Sequence, residues 1–287
     1  MLKKRVYVSL IIIFGFVIHL NAQSEGESVA IRRSEVVRIK SSINNLIYPV
    51  YIALPANYKQ SNESYPVVYM LDAYSSFGIM VQLQRLLLFN KELPEVIIVG
   101  ISSEGGSKEF NYNRSRDYTP THIQSDSIPA LLRSMIPASG GADDFISFIK
   151  NDLIKQIESK YRCNPNDRTI VGHSLGGLFG FYVLFTNPEL FQNYVLISPA
   201  LNWDKEFILK LEEKFSLSHK TLLAKIYTTV GSLEGSIMIQ PWQRLVDSIK
   251  KHNYSGLSIE VGVSEKETHY TIIPYIATHG LKSVFAK

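Results

Sequence analysis

Ten consecutive residues constrain this chain more than any others: Thr169-Ile170-Val171-Gly172-His173-Ser174-Leu175-Gly176-Gly177-Leu178. A β-branched run enters, a G-x-S-x-G pentapeptide turns the corner, and an apolar, helix-compatible segment runs on to Thr186. Strand, tight turn and helix in that order put the serine on a strained bend, its hydroxyl exposed above the end of a sheet. Gly172 and Gly176 are expected where strand and helix backbones come close, so that a side chain at either would collide.

The flanking sequence supplies a frame for such a bend. Pro66 to Asp72 and Glu95 to Ile101 are continuous apolar runs, the mark of strands buried on both faces, with a helical segment from about Phe77 to Asn90 between them. Strand, helix, strand implies parallel pairing through a right-handed crossover. Upstream, Glu35 to Lys40 and Leu46 to Leu54 flank a turn at Ser42 to Asn45 and predict an antiparallel pair at the sheet edge. Downstream, strands are expected at Tyr194 to Pro199, Ala224 to Val230 and Leu257 to Val263, with helices at Asp143 to Tyr161, Lys205 to Phe215, Ile237 to His252 and Ile272 to Phe285. The count fits an α/β fold: an eight-stranded, mostly parallel sheet with helices on both faces. Ser102 to Ala142, rich in Gly, Ser and Pro, interrupts the rhythm and reads as a long irregular insert near the active site.

Length and composition agree with one domain over residues 23–287, since 287 residues with 45% hydrophobic and 20% charged content show no internal break. Met1-Leu2-Lys3-Lys4-Arg5 followed by the apolar run Val6 to Leu20 is short for a membrane span and suits a secretory signal cleaved after Ala22. An uncleaved N-terminal anchor is the alternative. With no cysteine after the run, a lipid-anchored start is not expected. Cys163 is the single cysteine, so no intramolecular disulfide can form. The formal +4 arises mostly in the leader: removing Lys3, Lys4 and Arg5 from 30 basic residues leaves 27 against 26 acidic ones, and nothing suggests a nucleic-acid partner.

A serine hydroxyl is a weak nucleophile until a base accepts its proton and a third group orients that base. On sheets with this kind of elbow the partners follow in the order serine, acid, histidine, each on a loop after a strand. His269 falls in the loop after the last expected strand. His279 lies inside the final helix, and the His173 side chain is expected to point away from the reacting face. Glu234 is the only carboxylate in the loop after Ala224 to Val230, with Asp204 as the alternative acid and a Ser174–His269 dyad held by a backbone carbonyl as a third arrangement. The oxyanion hole is expected from the Leu175 N–H and from Ala73 or Tyr74, after the Pro66 to Leu71 strand. No histidine pair has metal-ligand spacing, and no cofactor is implied.

With these residues in place, the chain resembles the Putative esterase family of α/β-hydrolases, which includes enterobactin-type siderophore esterases, S-formylglutathione hydrolases, feruloyl esterases and mycolyltransferases. The resemblance rests on Pro66 to Asp72, Arg114-Ser115-Arg116-Asp117-Tyr118-Thr119-Pro120, the elbow, Ser198-Pro199-Ala200-Leu201-Asn202-Trp203, Gly231-Ser232-Leu233-Glu234 and Glu267-Thr268-His269. It implies an α/β-hydrolase fold and an exported serine carboxylic-ester hydrolase, most like the siderophore-esterase branch. Arg114 or Arg116 would meet anionic or catecholic groups, unless Arg116 merely pairs with Asp117, and Trp203 would wall the pocket. A small-molecule or oligosaccharide ester is then the substrate, with carbohydrate acyl or feruloyl esters, or acyl transfer, as alternatives.

Overall fold

The structure, a computed structural model, describes residues 29–124 and 136–286. The expected leader, residues 1–22, lies outside them. Arg32–Lys287 form one unit built on a single eight-stranded sheet. Its strands are β1 (Ser34–Lys40), β2 (Ile47–Ala53), β3 (Tyr65–Met70), β4 (Ile97–Ile101), β5 (Cys163–His173), β6 (Asn193–Ile197), β7 (Thr221–Gly231) and β8 (Ser255–Ser264), in the spatial order β1-β2-β4-β3-β5-β6-β7-β8. β2 runs antiparallel to β1 and to β4, and every other pairing is parallel. The elbow strand β5 therefore sits between β3 and β6, away from either edge, where the continuous apolar runs predict full burial.

Helices cover both faces. α1 (Ala73–Phe89) packs over one face against a π-helical segment at Ile276–Leu281, which leads into α8 (Lys282–Phe285). α3 (Ala142–Phe148), α4 (Ile154–Lys160), α5 (Leu175–Thr186), α6 (Phe207–Ser218) and α7 (Ser236–His252) belong to the other. α5 is buried along its whole length to Phe185, which explains why its sequence is apolar all round rather than striped. No helix among the described residues is long and apolar enough to cross a membrane.

Three sequence expectations change. The segment 102–142 is not irregular throughout: α2 (Ser107–Asp117) forms within it. Its only buried residues are Ser115 and Asp117, so it carries no apolar stripe, and it starts with the Gly106 N–H donating to Glu109 Oε2 at 3.0 Å. The predicted Asp143 to Tyr161 helix is broken by a π-helical turn at Ile149–Leu153. The helix expected from Lys205 begins at Phe207 because Asp204, Lys205 and Glu206 all adopt positive φ, closing a left-handed turn in which the Phe207 N–H donates to Trp203 O at 3.1 Å.

Candidate active site

Ser174 has φ 59° and ψ −118°, a backbone conformation that costs a non-glycine residue about 1–3 kcal/mol and persists only where its surroundings enforce it. They do so on three sides. The Ser174 N–H donates to Ile197 O at 3.1 Å, and its carbonyl accepts from the Leu178 and Ala200 N–H groups, both at 3.0 Å. A Cβ on Gly172 would lie 2.2 Å from Gly176 O, and one on Gly177 would lie 2.8 Å from Pro199 Cβ. The collision expected at Gly176 does not arise: a Cβ there meets Leu71 Cδ1 at 3.4 Å, an ordinary contact. Gly176 takes part in the close approach through its carbonyl oxygen, and the second glycine that the packing requires is Gly177.

β7 and β8 end side by side, with Gly231 paired to Ser264, and their following loops carry Glu234 and His269. The Leu233 N–H donates to Glu267 O at 3.0 Å, joining the two loops. His269 Nδ1 donates to Glu234 Oε2 at 2.6 Å, leaving Nε2 on the opposite side of the ring. The other carboxylate oxygen, Oε1, accepts from Ser198 Oγ at 2.5 Å and from the Gly231 N–H at 2.6 Å. The Glu234 side chain is 1% exposed. Burial pushes its carboxyl up, but the hydrogen bonds from His269, Ser198 and Gly231 together outweigh burial and hold it below its ordinary value. Asp204, the alternative acid, lines the cavity and makes no hydrogen bond to His269.

His173 does not point away from the site. Its Nε2 lies 2.7 Å from His269 O, and the two imidazoles stand 4.5 Å apart. A carbonyl can only accept, so His173 Nε2 carries the proton. Burial, then the neighbouring His269 and Arg114, push its pKa down to about 3, keeping the ring neutral.

Ser174 and His269 open on one cavity of about 620 Å³, whose walls include Trp203, Phe110, Tyr270 and Arg114. Trp203 Nε1 donates to Thr121 Oγ1 at 2.9 Å, which fixes the indole as a wall. Leu175 lines the cavity at the start of α5. Ala73 and Tyr74 open α1, beside the stretch of cavity wall formed by Asp72, Ser75 and Ser76. The Ser75 and Ser76 N–H groups donate to Asp72 O, whereas those of Ala73 and Tyr74 have no backbone acceptor.

Arg114 reaches the cavity, with Nε and Nη2 engaged by protein acceptors. Nε and Nη2 meet Asp72 Oδ1 and Oδ2 at 2.7 and 3.0 Å, and Nη2 also donates to His173 O at 3.2 Å. Burial pushes the guanidinium pKa down, and Asp72 more than offsets it, so Arg114 is charged. Arg116 is not part of the cavity wall: it pairs with Asp117 at 2.7 and 3.0 Å and with Asn113 Oδ1 at 2.9 Å. Sequence reasoning gave no role to Ser198 or His173, although a serine ending a buried strand and a histidine beside the nucleophile were both visible. Among the described residues no group of His, Cys, Asp and Glu has the arrangement to hold a metal ion.

Fold and site together define a hydrolase of the α/β-hydrolase type. The model of the Putative esterase family matches residues 41–273, and Bacillus subtilis BesA, named a ferri-bacillibactin esterase, is 35% identical over 86% of this chain and 88% of its own. The chain belongs to the Putative esterase family and is an esterase. Among solved structures, the BES protein of Bacillus cereus superposes with a TM-score of 0.79 at 28% identity, covering 92% of this chain and all of that one. An IroE-like serine hydrolase from Shewanella oneidensis superposes at 0.76 and 29% identity, over 88% of this chain and 80% of its own.

Proposed function

We propose that this chain is an exported serine esterase that opens the ester bonds of a siderophore trilactone through an acyl-enzyme on Ser174. The observation that carries the mechanism is the 2.6 Å bond to a buried, ionised Glu234 from Nδ1 of His269, which lines the same cavity as Ser174. Siderophore substrates are supported by the name of the Bacillus subtilis relative, and export by the basic, then apolar, start of the chain.

Ser174 Oγ attacks the ester carbonyl while His269 Nε2 accepts its proton, and Glu234 stabilises the imidazolium without taking a proton itself. The tetrahedral oxyanion is met by the Leu175 N–H and an N–H of Ala73 or Tyr74. Collapse expels the alcohol, which takes the proton from His269 and leaves an acyl ester on Ser174. Water then attacks the acyl carbonyl as His269 takes its proton; the Ser174 ester bond breaks, His269 returns the proton to Ser174 Oγ, and the acid leaves.

Ser174→Ala is expected to lower kcat/KM on p-nitrophenyl esters by about 10⁴-fold or more, with an unchanged circular dichroism spectrum. Retained turnover refutes the mechanism. Substrate class is tested by relative kcat/KM on ferric and metal-free catecholate trilactones, feruloyl or acetyl xylan fragments, and p-nitrophenyl esters. Preference for the xylan fragments refutes the siderophore reading and leaves the triad standing.

A further inference from the structure

The Asp72–Arg114 pair occupies a position that a substrate-binding arginine does not need. Asp72 is the residue before α1, held at φ 56° in the left-handed region, where a non-glycine residue stays only under restraint. Two restraints act on it. Its N–H donates to Tyr118 Oη at 3.2 Å, and its carboxylate is gripped by both Nε and Nη2 of Arg114. The same Nη2 continues to the carbonyl of His173, the residue preceding the nucleophile. One guanidinium thus spans the β3–α1 turn, which leads to the Ala73 and Tyr74 amides, and the β5–α5 elbow, which leads to the Leu175 amide. No other side chain hydrogen-bonds both turns among the described residues.

We infer that Arg114 is a positioning residue that sets the spacing between the two halves of the oxyanion hole, rather than a ligand for the substrate. The inference rests on the acyl-enzyme reading above. A planar fork suits this role, because two donors fix the carboxylate plane and the shared nitrogen fixes the elbow relative to it. Lysine, with one ammonium, cannot hold both contacts in a set plane. Donors that stabilise a developing charge act only when placed in advance, and a shift of about 1 Å can cost about 10²-fold in rate.

The test uses p-nitrophenyl acetate, a small ester with no charged group for an arginine to bind, on full-length protein. Arg114→Lys, Arg114→Gln and Asp72→Asn are each expected to lower kcat by about tenfold to a hundredfold with KM within about twofold. The Asp72→Asn/Arg114→Gln double variant should fall no further than the worse single one. Guanidinium ion added to Arg114→Gly should restore part of kcat. Unchanged kcat on this ester, with KM rising only for catecholate or carboxylate esters, overturns the inference and returns Arg114 to substrate binding. Losses that add in the double variant and follow a fall in Tm overturn it in favour of a purely structural pair. If Ser174→Ala keeps full activity, the acyl-enzyme reading fails and takes this inference with it, an outcome separable from the others because it does not involve Arg114.

Discussion

At Glu234 the hydrogen-bond pattern fixes what an isosteric amide would do. Oε1 faces an obligatory donor, the Gly231 N–H, so a glutamine must put its carbonyl there and turn its NH₂ toward His269. That makes Nδ1 an acceptor and moves the imidazole proton to Nε2, the nitrogen required to be the base. Glu234→Gln should therefore cost about 10⁴-fold in kcat on a p-nitrophenyl ester while Tm changes little; a loss below about tenfold would favour the dyad. His173 makes a different prediction, about stability. Its folded pKa is depressed from 6.5 to about 3, so between those values the unfolded chain binds a proton that the folded one does not. That contribution is fully present above 6.5 and lost as pH falls toward 3. His173→Gln should flatten the fall of Tm across this window, measured by thermal unfolding at stepped pH. An unchanged slope would mean the ring is protonated in the folded state.

At the level of elements, the elbow is a junction whose tolerance is set by single atoms. Gly172→Ala drives a Cβ into the Gly176 carbonyl at 2.2 Å, backbone against backbone with nothing to rotate away. It should cost more than the 1–3 kcal/mol typical of overpacking, about 3 kcal/mol or above, read as a lowered Tm with loss of activity. Gly176→Ala meets only ordinary contacts inside α5 and should be neutral, or stabilising by about 0.5–1 kcal/mol; a larger loss than at Gly172 would reverse the packing account. The pentapeptide made both glycines equally suspect, because which backbone atom faces which residue depends on how strand and helix dock. The same limit hid α2. Segments that pack apolar faces, such as β3, β4 and α5, announce themselves by their pattern, whereas Ser107–Asp117 is anchored by polar bonds, Arg114 to Asp72 and Tyr48 to Asp117, and reads as a polar loop. The strands and the order of Ser174, Glu234 and His269 were legible since both follow from position along the chain. Ser198 and His173 were not, because their contacts join residues 36 and 96 positions apart.

For the whole molecule, the sheet brings the ends of β3, β5, β6 and β8 to one cavity, and the loop after β7 holds Glu234 against His269 there. Expression of the full chain is expected to yield a secreted or periplasmic form beginning at Gln23 by N-terminal mass spectrometry, with the same kcat as a form started there by design. Recovery of the intact N-terminus in the membrane fraction would point to an anchor instead. The Arg114 fork has a consequence on this scale too. The helix that carries it lies in the insert at residues 102–142, so that insert is not a free module: a chimera taking residues 102–142 from a relative should be active only when the residue at 72 travels with the one at 114. Across related chains the two should be inherited as a pair, present together or replaced together.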